Sequence, residues 1–285
     1  MLSSLTPRLR KCLVFASILR PHASMSSVSA AAHDWSHYEK ALGAVDVSAP
    51  PRVELLRASR AAAPELECVA VLDSSFNPPT RAHLHMLNAA CEHFGLQRRL
   101  LLLSKQNADK PVVGASLPQR LCMMEMIAEA DRSSATLCGV TAHPLFVDKA
   151  TALQTLCGEE ARICLLVGFD TWVRVVDPKY YAEGELESTL ARLFEKVEVV
   201  VTSRDPLSAS AMQPVSVEEQ AAAVAALPQT LTRGRLHFMR NNDDVAAFSS
   251  SAIRTALGGH QGEEHGEEML PECVREFVEQ QGLYK

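Results

Sequence analysis

From Cys68 onward, short runs rich in β-branched and aliphatic residues alternate with longer segments of helical periodicity. This alternation is the pattern of βαβ units, whose strands must lie parallel with helices on both faces. Strands are expected at Cys68–Asp73, Arg99–Ser104, Thr136–Val140, Arg162–Gly168, Val197–Thr202 and Leu236–Met239. Helices are expected near Thr80–Phe94, Leu117–Glu129, Asp148–Leu156, Leu186–Phe194 and Val217–Ala226, with closing helices from Ser250 and Pro271. The fold class is therefore α/β: a Rossmann-like, doubly wound parallel sheet. A chain of 285 residues, 47% hydrophobic, can bury such a core.

One junction in this pattern carries chemistry. The apolar run Cys68-Val69-Ala70-Val71-Leu72 leads into Asp73-Ser74-Ser75-Phe76-Asn77-Pro78-Pro79-Thr80-Arg81-Ala82-His83 and then into a helix. Strand, polar turn and helix N-terminus are the parts of a phosphate site, where free N–H groups and the positive end of the helix dipole converge. The paired prolines bar regular structure in the turn. Thr80 and His83, three apart, lie on one face of the first helical turn and aim a hydroxyl and an imidazole at one place. An anion could be held there without a large basic patch.

At these residues the chain resembles the nicotinamide-nucleotide adenylyltransferases of the HIGH-type nucleotidyltransferase superfamily, in a divergent, fungal-like branch. Ser75-Phe76-Asn77-Pro78-Pro79-Thr80-Arg81-Ala82-His83 fits the family's G-S-F-N-P-x-T-x-x-H, except that Ser74 stands in place of the leading glycine. A second match, Phe248-Ser249-Ser250-Ser251-Ala252-Ile253-Arg254, resembles I-S-S-T-x-I-R at another helix start, with serines as caps and an arginine one turn on. A third, Leu165-Leu166-Val167-Gly168-Phe169-Asp170, resembles a strand ending in G-x-D. Two weak motifs in the right order are stronger than either alone.

The resemblance implies joining of ATP with nicotinamide mononucleotide, nicotinate mononucleotide being an open alternative. His83, Arg254 and Thr80 would be catalytic. Ser75, Phe76, His83, Gly168, Asp170, Ser250, Ser251 and Arg254 would hold ATP, with Asp170 on the ribose. Ser74, Ser75, Asn77, Trp172 and a lysine, Lys105 or Lys110, would hold the mononucleotide, and one of Trp172, Tyr180 and Tyr181 would stack on the pyridine. Mg²⁺ would ride on the ATP phosphates, with no protein metal site. Two other readings stay open: a pantetheine-phosphate adenylyltransferase or cytidylyltransferase of the same superfamily, and a nucleotide-binding regulatory protein with weak or lost catalysis.

Composition sets limits on partners. A net charge of −6 argues against nucleic acid, and no apolar run is long enough to span a bilayer. The eight cysteines form no C-x-x-C pair and no cysteine–histidine cluster of zinc spacing, and several sit in apolar runs, as reduced intracellular thiols do. The first 33 residues hold Arg8, Arg10, Lys11 and Arg20 but no acid, the composition of a mitochondrial targeting segment or, alternatively, of a disordered tail on a cytoplasmic or nuclear protein. Residues 34–66 read as a helical N-terminal extension and 67–285 as the nucleotidyltransferase domain, with homo-oligomerisation left open.

Overall fold

The computed structural model describes residues 34–56, 59, 66–106, 114–133, 135–204, 215–242, 249–258 and 268–285. Six parallel strands form the sheet: β2 (Cys68–Asp73), β3 (Arg98–Ser104), β4 (Thr136–Thr141), β5 (Arg162–Gly168), β6 (Glu198–Thr202) and β7 (Leu236–Met239). A two-residue strand, β1 (Glu54–Leu55), adds antiparallel to β4, giving the order β1-β4-β3-β2-β5-β6-β7. The chain runs from β2 outward to β4 and then returns to start the other half at β5. Strand order thus reverses between β2 and β5, and the crevice beyond their carboxyl ends is where ligands of such sheets bind.

Alternation along each strand builds two cores. Ala70 and Leu72 of β2, Leu101 and Leu103 of β3 and Leu166 of β5 face one layer, while Val69, Val71, Leu100, Leu102, Leu165 and Val167 face the other. Side chains one residue apart point to opposite faces, so a sheet covered on both sides reads as a continuous apolar run. The first layer is closed by α1 (Ser36–Gly43), α2 (Arg81–Phe94), α3 (Leu117–Ala130) and α10 (Glu272–Gln281). The second is closed by α4 (Phe146–Cys157), α5 (Phe169–Val175), α6 (Leu186–Lys196) and α7 (Val217–Ala225). Further helical segments are the short α8 (Gln229–Thr232), α9 (Ser250–Gly258) and a single 3-10 turn at Pro178–Tyr180.

Segment 34–66, expected as a helical extension, supplies both α1 and the edge strand of this sheet. Tyr38 of α1 donates to Glu125 Oε2 of α3 at 2.8 Å, inside the first core. The seven described cysteines form no disulfide. Among the described residues no helix is long and apolar enough to cross a membrane.

Candidate active site

Helix α2 is capped by Thr80, whose backbone is extended (φ −124°, ψ 166°) and which lines the crevice. Its side chain and that of His83 form a reciprocal capping box: Thr80 Oγ1 accepts from the His83 backbone N–H, and the Thr80 N–H donates to His83 Nδ1 at 2.9 Å. The family spacing of threonine and histidine is therefore also a helix-start device. Because an N–H points at Nδ1, the neutral ring carries its proton on Nε2. Nε2 lies 3.0 Å from Ser74 Oγ.

His83 is buried, and burial, with a smaller contribution from the Arg204 guanidinium, pulls its pKa down to about 3. The ring is neutral at physiological pH. The unfolded chain binds a proton on this histidine below its ordinary value of about 6.5, which the folded chain refuses down to about 3. Stability from this group is complete above pH 6.5 and falls on acidification by about 1.4 kcal/mol per pH unit. Denaturant melts at pH 7 and 5 are expected to show a smaller acid loss in His83→Gln than in wild type; equal losses would mean that His83 takes up its proton in the folded state.

The loop before α2 is over-determined. Phe76 is held at φ 43°, a conformation costly for a residue with a side chain, and its fully buried ring packs 5.2 Å from that of His83. Asn77 Oδ1 accepts from the Ala115 N–H at 3.1 Å and the Tyr284 hydroxyl at 2.9 Å, while the Asn77 carbonyl accepts from Arg254 at 2.7 Å. Gly114, at φ +82°, allows this approach, since a Cβ there would sit 2.9 Å from both Asn77 Oδ1 and Tyr284. Arg120 donates to the Ala115 and Ser75 carbonyls.

The second motif lands on the same loop. Ser249 Oγ accepts from the Ala252 N–H and caps α9, Ser250 Oγ donates to the Pro78 carbonyl at 2.8 Å, and Arg254 also donates to Ser251 Oγ at 3.2 Å. The third motif approaches from β5. Asp170 accepts from Arg204 Nε at 3.1 Å; partial burial of Asp170 opposes ionisation, and the Arg204 guanidinium outweighs it and holds the carboxyl below the ordinary range. A Cβ at Gly168 would meet Asp170 Oδ1 at 2.8 Å and displace that carboxylate.

These elements enclose a cavity of about 530 Å³ at the switch point. Ser74, Ser75, Asn77, Thr80, His83, Gly168, Asp170, Ser250, Ser251 and Arg254 all line it. Three described positions expected at the site do not. Trp172 is 2% exposed and packs in the second core, because it lies on the inward face of α5; Tyr180 and Tyr181 reach the cavity wall instead. Phe76 points its ring into the first core. Lys105 turns away, donating to the Leu42 and Val45 carbonyls at the end of α1. Lys110 lies outside the described residues, as does Phe248.

Sequence reading missed most of the charge. Arg120, Lys149, Arg174, Arg204 and Arg254 line the cavity against only two described carboxylates, Asp73 and Asp170. Both carboxylates are paired, Asp73 to Lys149 at 2.7 Å and Asp170 to Arg204. A chain of net charge −6 thus concentrates a positive field where anionic phosphates would enter, correcting the expectation of an anion site without a basic patch. The second motif marks Arg254 and the helix start after β3 marks Arg120, but no signal marks Lys149, Arg174 and Arg204, since each comes from a different element. Among the described residues no group of three or more His, Cys, Asp or Glu could hold a metal ion.

Comparison with known proteins agrees with this geometry. A Schizosaccharomyces pombe protein named "Putative nicotinamide mononucleotide adenylyltransferase" is 39% identical over 135 residues, 47% of this chain and 53% of that protein, so the match spans about half the length of this relative. The structure of Plasmodium falciparum nicotinic acid mononucleotide adenylyltransferase complexed with NaAD superposes with a TM-score of 0.52 at 12% identity, covering 76% of this chain and 96% of that one, a likeness of fold. The Cytidylyltransferase-like family model matches residues 71–256, which contain the switch point and all three motifs, and the chain belongs to that family.

Proposed function

We propose that the protein is an adenylyltransferase that joins nicotinamide mononucleotide, or its nicotinate counterpart, to ATP with release of pyrophosphate. The observation that carries this reading is the convergence of His83, Asp170 and Arg254, separated by up to 171 positions in the numbering, on one positively charged cavity at the switch point. The named relative supports the same reaction.

The 5′-phosphate oxygen of the mononucleotide would attack the α-phosphorus of ATP in line, forming one P–O bond as the bond to the β-phosphate oxygen breaks. Such transfers require two polyanions to be positioned and the extra charge on the equatorial oxygens to be stabilised, and no covalent nucleophile is needed. In this reading the Nε2–H side of His83 serves the transferred phosphoryl group, Arg254 and the serines of α9 hold the β- and γ-phosphates, and Thr80 fixes the imidazole. Asp170 accepts from the ribose hydroxyls, and Tyr180, Tyr181 or Phe146, all on the cavity wall, flanks the pyridine. Both described carboxylates are occupied by cations, so Mg²⁺ would enter as MgATP, bound by phosphate oxygens and water rather than by the chain.

The test is incubation of the purified protein with MgATP and each mononucleotide in turn. Equal amounts of dinucleotide and pyrophosphate are expected, and the ratio of the two rates gives the base preference. ATP binding, seen as a rise in melting temperature, with no dinucleotide from either substrate would establish a nucleotide-binding protein instead.

A further inference from the structure

The position where the family motif has glycine places a hydroxyl against the histidine of this chain. Ser74 follows β2 directly, its backbone N–H held by the Leu102 carbonyl, and its Oγ lies 3.0 Å from His83 Nε2. Both residues line the cavity. On the other side of the ring Nδ1 receives the Thr80 N–H at 2.9 Å, with Thr80 Oγ1 2.8 Å away. Two polar groups compete for the Nδ1 lone pair, which leaves the ring proton no place except Nε2.

The direction of the Ser74–His83 bond follows. Nε2–H donates and Ser74 Oγ accepts, so the imidazole cannot act as a base toward this serine and the pair is not a nucleophilic dyad. A hydroxyl that accepts one hydrogen bond still has its own proton to give, and donation into it strengthens the bond it gives in turn. With glycine at this position Nε2 would have no side-chain hydroxyl against it.

We propose that Ser74 is a catalytic residue of this chain, the hydroxyl through which His83 acts: Nε2–H donates to Ser74 Oγ, and Ser74 O–H donates to a phosphoryl oxygen of the bound nucleotide. The proposal rests on the adenylyl-transfer reading for its consequence in turnover and on the Thr80–His83–Ser74 geometry for its chemistry. Ser74 extends the reach of a ring held back by its capping bond to Thr80. It also fixes the ring plane, since both nitrogens are then engaged.

The experiment is a double-mutant cycle on dinucleotide formation, with Ser74→Ala, His83→Ala and the pair, read together with the ¹⁵N resonances of His83. Ser74→Ala is expected to lower kcat by about 10²-fold or more, the range of a preorganised donor, at a nearly unchanged melting temperature. The pair should be no worse than Ser74→Ala alone, because a histidine that works through Ser74 adds nothing once the hydroxyl is gone. Ser74→Gly should recover part of the loss by opening a direct path to Nε2. The His83 nitrogens should report Nε2 protonated, and ATP should perturb Nε2 far less in wild type than in Ser74→Gly.

Wild-type turnover in Ser74→Ala, multiplicative losses in the pair, or a proton found on Nδ1 would each overturn the proposal. A wild-type protein that binds ATP and makes no dinucleotide would remove the adenylyl-transfer reading. The nitrogen resonances, read with ATP alone, would still decide whether Ser74 stands between His83 and the phosphates.

Discussion

Replacing His83 with alanine is expected to lower dinucleotide formation by about 10²-fold or more in kcat, the scale of losing one preorganised donor at a charge-developing centre. The effect should fall on kcat rather than on the KM for ATP, because His83 acts, through the Ser74 hydroxyl, on the phosphoryl group under transfer while Arg254 and the serines hold the rest. Two secondary losses come with it. The Thr80 N–H loses its acceptor, and the Phe76 ring loses the imidazole that it packs against. Steady-state kinetics with a melting curve on the same sample separates these effects: a folded variant with kcat within threefold of wild type would remove His83 from the chemistry.

Arg254→Ala should cost a comparable factor, about 10²-fold, but in kcat/KM for ATP. This guanidinium has two tasks that a point charge could not combine. One nitrogen donates to the Asn77 carbonyl at 2.7 Å and another to Ser251 Oγ at 3.2 Å, so the fork ties the first motif to α9 at the cavity wall. Arg254→Lys keeps the charge and loses the fork, and should recover less than tenfold of the loss. If the lysine variant matched wild type, charge alone would explain the residue and the bond to Asn77 would be incidental. An unchanged kcat/KM for ATP in Arg254→Ala would place the triphosphate elsewhere.

The parallel sheet was legible because its strands are buried on both faces and read as unbroken apolar runs; Cys68–Asp73, Arg162–Gly168 and Leu236–Met239 occur at the residues expected. Strand β1 was not legible, since two residues carry no periodicity. Helix α5 was missed because Phe169 to Val175 follows β5 without a turn signal. Trp172 illustrates the limit of sequence reading at the site. A large aromatic two residues past Asp170 could be placed on either face of a seven-residue helix, and the need to fill the core beneath β5 decides for the interior.

What the sequence determined alone is the alternation that forces parallel strands, and the order of three motifs that mark their carboxyl ends. Both are local properties: periodicity within ten or so residues, and fixed spacing within a turn and a helix start. What only the tertiary structure decided is which groups meet. Lys149 reaches Asp73, Arg204 reaches Asp170, Tyr284 reaches Asn77, and the Ser74 hydroxyl lies on the one nitrogen of His83 that carries a proton. The physical reason is that strand order, with β5 returning beside β2, brings together residues far apart in the chain. The burial this creates then sets their charge states and hydrogen-bond directions, which no spacing along the chain records.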